Sequence, residues 1–173
     1  MKNKKYQGYC CHCFRNIFPG SPLVRNYKTK ELLVADFIKT TFPEEDLIFD
    51  KVIQGGCSKR RPDIYVDKFT HTVVIEVDEN QHYGYSCENK RDMEIFTDFN
   101  NRPLIFIRFN PDKYDSEKSC FQVSKNGLLS ISSIKRWNTR LQNLKDKFQE
   151  CITDIPTREI TRHLLYIVPH PKN

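Results

Sequence analysis

The chain reads Lys59-Arg-Arg-Pro62-Asp63-Ile-Tyr-Val and then, with Glu76 thirteen residues after Asp63, Val-Ile-Glu76-Val-Asp78-Glu-Asn-Gln81-His82. Side chains alternate across a strand, so Glu76 and Asp78 are expected on one face while Ile75 and Val77 pack on the other. Beside Asp63 at the start of a neighbouring strand, they form a cluster of hard oxygen ligands. Carboxylates that close repel one another unless a cation such as Mg²⁺ sits among them. Phosphodiester hydrolysis uses such a pocket, because the cation polarises the phosphoryl oxygen, lowers the pKa of an attacking water and neutralises the leaving oxygen. Asp63 and Asp78 are therefore the expected ligands of Mg²⁺ or Mn²⁺, with Glu76 assisting. His82, whose ordinary pKa of about 6.5 suits it to move a proton at neutral pH, is the candidate acid or base, with Glu31 and Gln81 next in line. Lys59, Arg60 and Arg61 directly precede Asp63 and are placed to hold a phosphate flanking the scissile one.

These residues need elements to position them. A helix is expected from Thr29, as its cap, to about Phe42, where Pro43 stops it; Val34, Ala35, Ile38 and Phe42 share one stripe, and Glu31 falls on it too. Short β-rich runs follow at residues 47–53, 63–66 and 72–78, broken by Gly55-Gly56 and by the Asp67-Lys68 turn. A second helix is expected over about residues 87–99 with Met93, Phe96 and Phe99 inward, then an apolar strand at 104–109. The order is αβββαβ. From Ile131 a third helix carries Ile134, Trp137, Leu141, Leu144 and Phe148 at steps of three and four, a strongly amphipathic pattern, and a last strand is expected at 164–168. The fold class is thus α/β, a central mixed sheet flanked by helices, with a basic N-terminal arm and a C-terminal amphipathic helix.

With 38% apolar and 29% charged residues in 173, the composition is that of one globular domain long enough to bury a core without disulfide or metal staples. No apolar stretch approaches the roughly 20 residues of a membrane span, and Met1-Lys-Asn-Lys-Lys lacks an apolar signal region, so an intracellular protein with no membrane partner is expected. The net charge of +6 is uneven: residues 1–30 carry seven Lys or Arg and no Asp or Glu. Residues 1–28 are read as a basic arm in which Tyr6, Tyr9, Phe14, Phe18 and Tyr27 interleave with the cations, a pattern suited to phosphate and base contacts; a solvated tail is the plain alternative. Residues 29–173 are read as the main domain. The seven cysteines are an odd number for a disulfide framework. Cys10-X-X-Cys13 has zinc-knuckle spacing without a second pair, so a zinc site would have to borrow from Cys11, His12, Cys57, Cys87 or Cys120, whereas Cys151 is read as a small buried hydrophobe.

The Asp63, Glu76-Val77-Asp78 pattern and the αβββαβ order resemble the PD-(D/E)XK nuclease superfamily, although Asp78 stands where that superfamily carries lysine. The string Ile-Glu76-Val-Asp78 followed by His82, a helix carrying Arg91 and the strand Ile105-Phe-Ile-Arg108-Phe look like the very-short-patch-repair branch, which includes the EDxHD homing endonucleases. Arg-Asn-Tyr-Lys-Thr-Lys-Glu31, Gly56-Cys57-Ser-Lys-Arg-Arg-Pro-Asp63 and Arg108-Phe-Asn-Pro-Asp112 are similar to uncharacterised nuclease-like proteins of giant viruses and some protists. The resemblance covers about residues 28–112. It implies a restriction-endonuclease-like core, a site completed by Glu31, Asp63 and His82, and a metal-dependent endonuclease acting on double-stranded DNA. It also implies nucleic-acid contacts that include Arg91 and Arg108, structural zinc near the active-site face, and a nuclear or cytoplasmic location in a host, with a virus-encoded origin in keeping. A homodimer is left open. The alternatives are a nucleic-acid-binding module with a decayed site, since the usual lysine is absent, and an RNA- or junction-processing nuclease.

Overall fold

The computed structural model describes residues 7–9, 13, 14, 17, 18, 21, 23, 28–79, 85–114 and 117–165, with side chains left out at 85–88. Most of the basic arm, with Cys10, Cys11 and His12, lies outside the described residues, as do Gln81 and His82. The elements run α1 (Thr29–Thr41), β1 (Ile48–Phe49), β2 (Ile64–Asp67), β3 (Thr72–Val77), α2 (Tyr85–Asp98), β4 (Leu104–Phe109), β5 (Phe121–Val123), β6 (Leu129–Ile131), α3 (Ile134–Thr153) and β7 (Ile160–Leu164). Five strands form one mixed sheet in the order β1-β2-β3-β4-β7: β1, β2 and β3 are antiparallel neighbours, while β3–β4 and β4–β7 are parallel. No helix among the described residues is long and apolar enough to cross a membrane.

Both faces of the sheet are covered. Central β3 and β4 are accordingly apolar almost without interruption, as a strand packed on both sides must be. On one face α1 (Val34, Ile38) and α3 (Trp137, Leu141, Leu144, Phe148) pack on Ile64, Ile75, Ile105 and Ile107. On the other, Ile95 and Phe96 of α2 and Phe99 just after it pack on Tyr65, Val74, Leu104 and Phe106. The α/β class, the mixed sheet and the order of the first six elements agree with the sequence reading.

Five local expectations change. Thr29 is the first helical residue rather than the cap: Lys28 holds the N-cap position at φ 52° without a side-chain cap bond. Its ammonium reaches Glu31 Oε1 at 2.7 Å and Asp50 Oδ2 at 2.9 Å, which ties the helix start to the turn after β1. Strand β1 shrinks to two residues because Asp50 turns at φ 44°. Met93 is 50% exposed, since the inward stripe of α2 runs through Asp92, Ile95 and Phe96 and continues to Phe99 just beyond the helix. The third helix begins at Ile134, itself 69% exposed, because Ser133 caps it, its side chain accepting from the Arg136 N–H. Ile131 instead closes a β5–β6 hairpin around Asn126-Gly127, with Gly127 at φ 69°. The last strand starts four residues early, at Ile160, held between the Leu104 N–H to Glu159 O bond and the Leu165 N–H to Arg108 O bond. As an edge strand it needs no apolar run, and Arg162 on it serves a buried acid.

Candidate functional site

Asp63, Glu76 and Asp78 converge at the end of the sheet where β2 begins and β3 and β4 finish. In the antiparallel β2–β3 register Ile64 faces Ile75, so Asp63, one residue earlier, stands opposite Glu76. The Val77 N–H donates to Asp63 Oδ2 at 2.7 Å, which fixes the carboxyl against the end of β3. Glu76 pairs in register with Arg108 of β4, and the Asp78 N–H extends that ladder by donating to Phe109 O at 2.9 Å. By alternation Asp63 shares the side of Tyr65, Glu76 that of Val74 and Arg108 that of Phe106, the α2 side. Glu31, on the first turn of α1, is close enough for its charge to act on Asp63.

The electrostatics separate the three acids. Glu76 is 6% exposed and accepts from Arg91 Nη2 at 2.8 and 2.9 Å. Burial nonetheless pushes its carboxyl up to about 8, the charge of Asp63 adds to this, and Arg91 only partly opposes it. Burial likewise pushes Asp63 up to about 6, with the Val77 N–H opposing and the charge of Glu31 adding to the rise. Among the described residues Asp63 has no ion-pair partner. Asp78, in contrast, accepts from Arg108 Nη1 at 3.0 and 3.2 Å.

Arg108 is 5% exposed and also donates to Asp92 Oδ1 at 3.2 Å, while Arg162 Nε donates to Asp92 Oδ2 at 2.6 Å. The expectation that Arg108 contacts nucleic acid is therefore corrected: it is the buried counter-ion that joins β3, α2 and, through Asp92, β7. Asp92 and Arg162 were missed from the sequence. The signal for Asp92 was present, a carboxylate on an otherwise apolar helical stripe, the same sign that singled out Glu31.

The basic turn before Asp63 is positioned by a buried contact. Asp98, near the end of α2, accepts from the Cys57 N–H at 2.9 Å, the Ser58 N–H at 3.1 Å and the Ser58 hydroxyl. Gly56 lies so close that a Cβ there would sit 2.6 Å from Asp98 Cγ. Gly56→Ala is thus expected to destabilise the protein by about 1–3 kcal/mol in urea unfolding, and an unchanged midpoint would contradict the contact. Of the turn's cations, Arg60 pairs with Glu94 at 2.6 Å and Arg61 with Asp50 at 3.0 Å. Arg91, besides holding Glu76, donates to Arg61 O at 3.2 Å. Lys59, exposed at φ 59°, meets no carboxylate among the described residues.

For zinc, Cys13 and Cys57 are exposed and Cys120 and Cys151 are buried. Cys120 belongs to the core under α3, whereas Cys57 lies beside α2 on the opposite face, so these two cannot share one ion. The side chain of Cys87 lies outside the described residues. Cys151 is 3% exposed and burial pushes its thiol up to about 12, in keeping with a small core hydrophobe. Among the described residues no group of three or more His, Cys, Asp or Glu side chains is placed to hold a metal ion. A pair remains: Asp63, half-buried, and Glu76, buried, stand opposite one another and are under-compensated, and Mg²⁺ commonly takes only one or two carboxylates together with water and substrate phosphate. The donor set fits such an ion through Asp63 and Glu76; Asp78, like Glu76, is paired with an arginine.

No protein-family model matches the chain, and neither a curated protein nor a solved structure matches it.

Proposed function

We propose that this chain is a metal-dependent DNA endonuclease with a restriction-endonuclease-like core of the very-short-patch-repair type. The observation that carries the reading is the pairing of Asp63 with Glu76 across β2 and β3 in an αβββαβ order, two carboxyls raised above their ordinary range, Glu76 by burial and by the charge of Asp63, and Asp63 by desolvation and by the charge of Glu31. A divalent cation bound there supplies polarisation of the phosphoryl oxygen and neutralises charge at the leaving oxygen. The chain's own residues do the rest. Asp63 and Glu76 fix the ion's place on a rigid sheet, Arg91 anchors Glu76 from α2, and Lys59 on the Asp98-braced turn meets a neighbouring phosphate. Water is the nucleophile, and the expected products are a 5′-phosphate and a 3′-hydroxyl. His82 is the candidate for proton transfer, with Glu31 and Gln81 behind it.

Supercoiled plasmid incubated with Mg²⁺ or Mn²⁺ should be nicked or linearised, and EDTA should stop it. Inactivity with both ions on DNA, with activity on RNA or junctions instead, would move the substrate class. One observation favours a second reading, a binding module that has lost catalysis: Glu76 and Asp78 are both already paired with arginines. That reading gives tight DNA binding and no cleavage of any nucleic acid.

A further inference from the structure

We infer that the cavity at the N-terminal end of α3 is a second nucleic-acid contact, a subsite for a backbone phosphodiester away from the bond that is cut. The inference rests on the nuclease reading for the identity of its ligand, while the charge of the cavity stands independently. The cavity encloses about 460 Å³ and is lined by Lys135, Arg136 and Arg140 against a single acid, Glu117.

Most of the arginines elsewhere in the described fold are neutralised: Arg60, Arg61, Arg91, Arg102, Arg108 and Arg162 each meet a carboxylate. The cavity's cations are held differently. Arg140 is 6% exposed, and its guanidinium donates to the carbonyl oxygens of Asn110 at 2.9 Å, Asp112 at 2.7 Å and Lys118 at 2.8 Å, with its Cζ 4.4 Å from the Tyr114 ring centroid. Arg136 donates to Ser119 O at 2.9 Å. Carbonyl dipoles fix these groups in position without cancelling their charge. No described carboxylate lies within ion-pair distance of Lys135, Arg136 or Arg140. The 20-residue helix adds the positive end of its dipole, with no acidic residue in its first turn to offset it.

The location ties this cavity to the proposed site. Two of the three carbonyls that hold Arg140, those of Asn110 and Asp112, follow β4 directly, at the same end of the sheet as Glu76 and Asp78. Lys30, beside Glu31 on α1, reaches Asp112 of that same loop at 2.7 Å. The ligand is a phosphate rather than a base, because Tyr114, the one aromatic ring in the lining, is already occupied by Arg140. Such a contact positions a duplex without reading its sequence.

The test is binding of the full chain to mixed-sequence duplex in EDTA, over about 50–200 mM salt. Lys135→Gln, at an exposed position, should lower the slope of log K against log salt by about 0.9, and adding Arg136→Gln should double that loss and weaken binding roughly tenfold or more on every sequence. Lys39→Gln, near the far end of α1, should match the wild type. Wild-type slope and affinity in both variants, with metal-dependent plasmid cleavage intact, overturns the subsite alone. Binding that depends on Lys135 and Arg136 without any cleavage sinks the nuclease reading and leaves the subsite standing. A wild-type chain that binds no duplex overturns both.

Discussion

Asp63→Asn is expected to abolish plasmid cleavage while leaving the fold intact and, in EDTA at neutral pH, more stable than the wild type. The Asn oxygen can still accept the Val77 N–H bond, so the position of β2 against β3 is kept, but the anionic ligand is gone. The sign of the stability change follows from the raised carboxyl. An ordinary aspartate titrates near 3.8 and Asp63 near 6. The folded protein therefore keeps the proton more tightly than the unfolded chain, and the stability tied to that proton is lost as pH rises from about 4 to about 6. Above 6 the half-buried charge opposes folding, by up to roughly 2–3 kcal/mol for a shift of this size, and Asn removes the penalty. The melting temperature of Asp63→Asn should thus exceed the wild type's by several degrees at pH 7.5 and match it closely at pH 4. Cleavage at the wild-type rate would end the assignment of Asp63 as a ligand. A variant equally destabilised at both pH values would show that the carboxyl is structural instead.

The second large effect belongs to Arg108, the buried arginine that joins Asp78 to Asp92. Arg108→Met keeps much of the side-chain volume and leaves Asp78 without that counter-ion, while Asp92 retains Arg162. Removing one member of a buried pair generally destabilises by about 3–5 kcal/mol, most of it the penalty of the charge left behind. Urea unfolding should show that loss with an unchanged denaturant slope. Arg108→Met combined with Asp78→Asn should recover part of it, because the carboxylate that lost Arg108 is then neutral. The salt dependence of DNA binding should not change, since Arg108 is enclosed by protein. A loss of stability below about 1 kcal/mol would mean that Asp78 is open to other partners, a metal ion among them.

The sequence alone determined the order of the first six elements, the apolar character of β3 and β4, the stripes of α1 and α3, and the place of the three acids near strand ends. These are readable because periodicity of 2 or 3.6 and the punctuation of Gly and Pro act within a dozen residues. It missed the β5–β6 hairpin, although Asn126-Gly127 marked it, because the apolar run from Ile131 reads just as well as a helix. Only the tertiary structure decided which charges meet. Glu31, Asp63 and Glu76 come from three elements, and the approach that raises two of their carboxyls depends on the β2–β3 register and on burial beneath α2. Arg108 and Asp78 both read as site residues, yet the parallel pairing of β3 with β4 turns them toward each other and toward Asp92. A charged residue's role depends on which partner lies within about 4 Å and on how much water is excluded, and neither is a property of its own neighbourhood in the chain.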